Sequence, residues 1–337
     1  MALKFTCLNC KEIITVEDVN IGGAFECYKC GFKGNVPYHA VYTEKDLDIP
    51  IVKKPQKKFQ DPDYPDFKQG IYLVIRLLIL AFLIFTPVVI IKMLWGSGFL
   101  YYKLQIIAEI GVLLLILKHT TLKSGLPFTE FVPIKKINST LLIWMCVSLV
   151  GFYFSVSIID NLIEFLLPSP DFFKELYLDE FANPFIGIIF GVILAPATEE
   201  IFGRGILLRG FLRNYSRRNA ILLSAVFFAL IHMNPWHFVS PFLLGILFGW
   251  WYVNTKSLLP SLIGHSLYNS ITLVIIQISI SHGYDVRALL HKEPQMLVTS
   301  YDIIGLILLL VGVYQTAKAF KKNSINDETS TISVIFT

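Results

Sequence analysis

Charge is what this 337-residue chain has least of: Asp, Glu, Lys and Arg make up 16%, against about 25% in an ordinary soluble domain. So few charges cannot cover the surface of a water-soluble protein of this size, which excludes a soluble enzyme. Cysteine is sparse too. A total of 5 rules out a disulfide framework, and four of them sit in two C-x-x-C pairs near the start, a pattern of metal ligation in a reducing compartment. The N-terminus lacks an apolar h-region, so no cleaved secretory signal is expected. The net charge of +4 is too small to call for nucleic acid, and none is expected as a partner. What the chain has in excess is apolar surface, with 54% hydrophobic and 14% aromatic residues and a mean hydropathy of +0.61. These values describe an integral membrane protein whose first partner is the lipid bilayer.

Residues 1–37 read as a small polar module. Residues 38–70 carry Pro50, Pro55, Pro62, Pro65, Lys53, Lys54, Lys57 and Lys58 and read as a flexible, basic, proline-rich tether. From Ile71 onward come apolar blocks of the ~20 residues a helix needs to cross a ~30 Å hydrocarbon core. They predict eight helices near 71–92, 99–117, 138–163, 184–208, 219–235, 238–254, 257–280 and 301–318, an all-α polytopic membrane protein. We divide it into accessory helices (71–183), a four-helix core (184–280), a loop and last helix (281–320) and a tail (321–337). Lysines and arginines recur at every second loop: in the tether, at Lys118, Lys123, Lys135 and Lys136, at Arg209, Arg213, Arg217 and Arg218, and at Lys318, Lys321 and Lys322. The loop before the fourth helix is acidic, with Asp171, Glu175, Asp179 and Glu180. That alternation puts both termini in the cytoplasm.

Cys7, Cys10, Cys27 and Cys30 fit the C-x₂-C-x₁₅₋₂₀-C-x₂-C spacing of a tetrahedral zinc site, with Gly31 free to let the backbone wrap the metal. A module this small lacks the core to fold unaided, so ligation would supply its stability. It resembles a zinc ribbon. Four thiolates close the coordination shell, which points to a structural or adaptor role, with a cytosolic partner, rather than to catalysis.

An ionisable side chain within a membrane helix costs at least about 2.5–3.5 kcal/mol near the centre, so each is a functional candidate. Arg76 and Lys92 lie near helix ends, where they snorkel. Glu109 is mid-span, and reads equally as a cavity-lining or a structural carboxyl. The fourth block runs Pro196-Ala-Thr198-Glu199-Glu200-Ile-Phe-Gly203-Arg204. Glu200 and Arg204 share a face at i, i+4 and can neutralise each other, whereas Glu199 is turned about 100° away and need not use the same partner. One carboxylate is then held in an ion pair and the other is free to act as a base; helical geometry does not settle which, and Glu199 is favoured. Pro196 removes a backbone hydrogen bond one turn earlier. The fifth block ends with Phe228-x-x-x-His232, and the seventh carries His265-x-x-x-Asn269, again on one face. Gathering these side chains round one hydrated cavity would satisfy all of them. Gly187-x-x-x-Gly191 and Gly245-x-x-x-Gly249 read as close-packing motifs, and Trp250, Trp251 and Tyr252 as an interfacial belt. His39, His119, His237, His282 and His291 read as solvated bystanders.

The ordered set E-E-x-x-x-R, F-x-x-x-H and H-x-x-x-N resembles the CPBP family of intramembrane proteases, which includes CAAX prenyl endopeptidases and bacteriocin-processing proteins and is also called Abi. The likeness covers residues 184–280. It implies hydrolysis of a peptide bond in a membrane-associated protein or peptide, with Glu199 and His232 activating water, His265 and Asn269 donating to the oxyanion, and Arg204 holding Glu200. The family is often labelled as metalloproteases. A glutamate with two histidines suits zinc, yet H-E-x-x-H is absent, which leaves a metal-free route open. G-x-G-D and G-x-S-G, the aspartyl and rhomboid signatures, are absent as well. A cation transporter or channel built on the same Glu/His cluster, and a non-catalytic membrane scaffold, are the alternatives. For location, a bacterial plasma membrane is favoured over the endoplasmic reticulum.

Overall fold

A computed structural model describes residues 2–7, 9–10, 12–17, 24–35, 41–43, 61–96, 98–171, 173–174, 178, 181–285 and 298–335. The chain divides into two compact units, Met1–Lys58 and Phe59–Thr337.

The first unit is a small β module. Strand β1 (Ala2–Thr6) pairs antiparallel with β2 (Ile13–Glu17) and with β5 (Val41–Thr43), while β3 (Ala24–Glu26) and β4 (Lys33–Asn35) form a second hairpin. Phe5, Ile14 and Phe25 make its only apolar cluster among the described residues, together with Cys7 and Cys27. The rings of Phe5 and Phe25 meet edge to face at 4.7 Å. Each C-x-x-C pair sits on a tight turn: the Cys7 amide donates to Glu12 O at 2.7 Å, and the Cys27 amide to Phe32 O at 2.8 Å. Gly31 closes the second turn at φ +68, a left-handed conformation that costs glycine little.

The second unit is an all-α polytopic membrane protein. Its long helices among the described residues are α1 (Phe67–Trp95), α2 (Phe99–Ser124), α3 (Ser139–Leu166), α4 (Pro184–Asn214), α5 (Arg217–Leu230), α6 (Val239–Thr255), α7 (Leu259–Ser281) and α8 (Ser300–Ile335). Six of them, all but α5 and α6, are long and apolar enough to cross a bilayer. α5 has 14 residues, about 21 Å at 1.5 Å per residue, short of a full crossing. Its end is set by Met233, which sits at φ 47, and by Pro235. Consequently His232 lies on the turn past α5 rather than inside a helix reaching 235, and the side chain of Asn234 caps the next turn at Trp236 and His237.

The expected tether is corrected at its C-terminal end. Residues 44–60 lie outside the described residues, but Asp61 to Asp66 is packed and α1 already starts at Phe67. Asp66 and Gln69 form a reciprocal capping box at 2.7 and 2.8 Å. Tyr64 is buried, which pushes its phenol up to about 12. Of the acidic loop, Glu175, Asp179 and Glu180 lie outside the described residues, as do His39 and His291. The backbone of the expected tail is helical as far as Ile335, as the end of α8.

Two apolar cores hold the bundle. One joins α1, α2, α4 and α5 around Leu73, Ile116, Phe202, Phe211 and Phe227. The other joins α3, α6, α7 and α8 around Met145, Leu149, Phe248 and Trp251. α3 and α8 pack backbone to backbone: a Cβ on Gly305 would come within 2.6 Å of Phe154 Cβ, and one on Gly312 within 2.6 Å of Ser148 Cα. Gly245 lets α6 close on Ala225 of α5 in the same way, at 2.9 Å. Trp251 is fully buried and Tyr252 nearly so, which corrects the reading of an interfacial belt; Gly264 of α7 leaves the space that the Trp251 ring fills. The outward faces carry exposed Phe82, Leu83, Ile304, Ile307 and Leu310, a surface that only lipid suits.

Candidate active site

The site is built on α4, whose backbone is not uniformly α-helical. Gly187–Leu194 and Ile201–Leu208 are π-helical and flank a short α segment, Ala195–Glu200. π-segments concentrate at functional sites because the extra residue per turn re-aims side chains. In the π register Ala195 donates its amide to Phe190 O. The next carbonyl, that of Gly191, would take the amide of residue 196. That residue is proline and has none. The side-chain amide of Asn269 on α7 donates to Gly191 O instead, at 2.6 Å.

The two adjacent glutamates face different surroundings. Glu200 and Arg204 are both fully buried, with Arg204 Nη1 donating to Glu200 Oε1 at 2.8 Å. The guanidinium lies 4.2 Å from the Phe228 ring centroid and 5.3 Å from that of Phe248. His265 Nδ1 donates to the same Glu200 oxygen at 3.0 Å. Glu199 points elsewhere: its Oε2 is 3.5 Å from His232 Nε2 and 3.9 Å from His265 Nε2. That oxygen is buried and has no hydrogen-bond partner of its own.

Protons can be placed by elimination. His232 Nδ1 is 2.8 Å from Phe228 O, and a carbonyl only accepts, so Nδ1 carries hydrogen. The Glu200 carboxylate likewise only accepts, so His265 Nδ1 carries hydrogen too. Each ring then turns its Nε2 towards Glu199 Oε2. A water held between these atoms would meet Glu199 Oε2, a buried acceptor with no partner of its own.

The structure thus brings Glu199, Glu200, Arg204, His232 and His265 together, and attaches Asn269 to the α4 backbone beside them. Two neighbours add to the set. Glu109 of α2 accepts from Thr198 Oγ1 at 3.4 Å, and a cavity of about 100 Å³ is lined by Glu109, Thr198 and Glu199 against Leu77, Phe85 and Phe202. His237 is no solvated bystander: burial first, and then the neighbouring His232 imidazole, hold it down to about 4. Its place three residues past a turn gave no sequence signal.

Among the described residues, the four cysteines Cys7, Cys10, Cys27 and Cys30 are the group whose ligand atoms all lie within 4.8 Å of one another, and they could hold a metal ion. The Phe32 amide donates to the Cys30 sulfur and lowers that thiol to about 6. Glu199, His232 and His265 are not such a group. Two ligands of one zinc ion lie at most about 4.2 Å apart, twice a ~2.1 Å bond, so the three as arranged do not fit a shared ion.

With this geometry in view, comparison with known families is decisive for one stretch. The family model for type II CAAX prenyl endopeptidase Rce1-like proteins matches residues 181–271. This stretch is an Rce1-like domain of the CPBP family. It takes in α4 to the first half of α7, and with them Glu199, Glu200, Arg204, His232, His265 and Asn269, but not Glu109. The β module and α1 to α3 lie outside it. No curated protein and no solved structure matches the chain.

Proposed function

We propose that the protein is an intramembrane endopeptidase that cuts a membrane-associated protein or peptide, in the manner of a CAAX protease. The observation that carries this reading is the pair of histidine Nε2 atoms converging on Glu199 Oε2 at 3.5 and 3.9 Å. A water donating to Glu199 and to His232 turns its lone pairs outward, towards a scissile carbonyl. Glu199 then takes the proton as nucleophilic attack begins, and His232 shares it until the leaving amine collects it. His265 takes up a solvent proton as substrate binds and keeps it through the cycle, so its Nε2–H donates to the developing oxyanion, with Glu200, itself held by Arg204, facing the imidazolium from the other side. The second N–H of Asn269 remains available for the same oxyanion.

In the β module, we assign one structural zinc to the four thiolates. Cys7 Sγ and Cys30 Sγ are 3.8 Å apart, and Cys10 Sγ and Cys27 Sγ 3.7 Å. A tetrahedron with ~2.3 Å Zn–S bonds has edges of about 3.8 Å. The zinc would fix both knuckles, as a platform for a cytosolic partner, with both chain ends on the cytoplasmic side of the membrane.

The test uses the full chain purified in detergent and a peptide ending in a prenylated C-a-a-X sequence, beside its unprenylated form. Wild-type protein releases the terminal tripeptide, and Glu199→Gln lowers turnover by about 10²–10⁴, the usual worth of a general base. Undiminished turnover by a folded Glu199→Gln protein would refute the assignment.

A further inference from the structure

A second built site lies where the loop after α2, the end of α4, the start of α5 and the end of α6 meet. A cavity of about 670 Å³ is lined there by five cations, Lys135, Arg209, Arg213, Arg217 and Lys256, against one carboxylate, Glu130. Four of the five are exposed. Arg209 is not: it is 7% exposed, and neither Nη1 nor Nη2 finds a hydrogen-bond partner. Glu130 Oε2 stands 3.9 Å away, beyond hydrogen-bond reach, and its side chain is half in solvent. The Phe131 ring lies 5.3 Å from the guanidinium.

The contrast with Arg204 is informative. That buried guanidinium has a carboxylate at 2.8 Å, whereas Arg209 is desolvated with both terminal nitrogens unmet, an expensive state unless an anion docks on them. Helix dipoles explain why cations gather at the C-terminal ends of α4 and α6. They do not explain why one is buried in the cavity wall with its terminal nitrogens unpartnered. The cavity sits at the end of the bundle where α4 and α6 finish and α5 and α7 begin.

We propose that this cavity binds a phosphate group, either that of an anionic phospholipid headgroup or free phosphate, with Arg209 as its floor and Lys135, Arg213 and Lys256 as its rim. Neither the peptidase reading nor the zinc reading is needed for it.

The full chain in neutral detergent, at fixed ionic strength, is titrated with dioleoylphosphatidylglycerol, with dioleoylphosphatidylcholine and with inorganic phosphate, and melting is followed by tryptophan fluorescence. Phosphatidylglycerol raises the melting temperature saturably and phosphatidylcholine does not. The triple variant Lys135→Gln/Arg213→Gln/Lys256→Asn weakens the midpoint on the order of a hundredfold, at about fivefold per cation. Asparagine tolerates the left-handed backbone of position 256, at φ 50. Arg209→Gln abolishes the response; should that variant not fold, the triple variant decides. A saturable shift with inorganic phosphate alone assigns the site to free phosphate, and one with phosphatidylglycerol alone assigns it to the headgroup. No saturable shift with either anion, or a phosphatidylglycerol response unchanged in the triple variant, overturns the proposal.

Discussion

Replacing Glu200 by Gln tests how the buried charges at the core of the Rce1-like domain are held. Arg204 and Glu200 are both fully buried, and Arg204 Nη1 sits 2.8 Å from the carboxylate. The substitution keeps shape and volume but strands a guanidinium in the interior. Breaking such a pair from one side costs about 3–5 kcal/mol. The Phe228 ring at 4.2 Å, the Phe248 ring at 5.3 Å and Gly245 O at 3.4 Å remain as partners, and cation–π contact recovers up to about 2 kcal/mol. The low end of that range, about 3 kcal/mol, is therefore expected, more than a hundredfold in the unfolding equilibrium. Glu200→Met/Arg204→Met removes both charges and should regain most of that loss. Peptidase activity should stay low in the double variant, because His265 Nδ1 has lost the carboxylate 3.0 Å away that fixes its tautomer. Unfolding in mixed micelles, followed by the fluorescence of buried Trp251, gives the stabilities. A Glu200→Gln protein within about 1 kcal/mol of wild type, or a double variant no more stable than the single, would refute the reasoning about buried charge.

Two further outcomes follow from the packing and from the thiolate cluster. If the four thiolates hold zinc as proposed, Cys7→Ser/Cys30→Ser should abolish zinc retention, read by elemental analysis of the purified chain; zinc kept at the wild-type ratio would refute the ligand set. Gly312→Val drives a side chain into the backbone of Ser148, where a Cβ alone would approach Cα to 2.6 Å. It should cost about 3 kcal/mol or more by parting α3 from α8, whereas Gly111→Val, where a Cβ meets nothing within 4 Å, should be nearly silent in the same unfolding assay.

Parts of this architecture are legible in the sequence because they depend on spacing alone. Two C-x-x-C pairs must meet if each turn is tight, and i, i+4 on a helix puts Glu200 beside Arg204 whatever surrounds them. Apolar block length likewise finds the long helices. Other parts depend on tertiary context and leave no local trace. The π register of α4 requires a donor from α7. The position of His232 past α5 hangs on one left-handed residue, Met233. Trp251 is buried because Gly264 on another helix makes room, yet an aromatic cluster at a helix end reads the same whether it faces headgroups or a core. Arg209 belongs to this second class: arginine near a helix end reads as exposed, and only the fold reveals that its nitrogens are enclosed.

The link between Pro196, Gly191 and Asn269 can be tested as a unit, because each residue accounts for the next. Proline has no N–H to give the Gly191 carbonyl in the π register, and Asn269 Nδ2 supplies one at 2.6 Å. Removing that donor leaves a buried carbonyl unsatisfied, at about 1–3 kcal/mol, so Asn269→Ala should destabilise the protein by that amount. Pro196→Ala restores the missing amide. In that background the Gly191 carbonyl has a backbone donor, and Asn269→Ala should cost well under about 1 kcal/mol, a coupling of 0.5–3 kcal/mol typical of groups in one hydrogen-bond network. Additive costs in the double-mutant cycle would mean that Asn269 stabilises the protein by some other contact. Activity separates the two roles of the side chain: if Asn269 also donates to the oxyanion, Pro196→Ala/Asn269→Ala regains stability but not turnover, whereas a purely structural asparagine would let both return together.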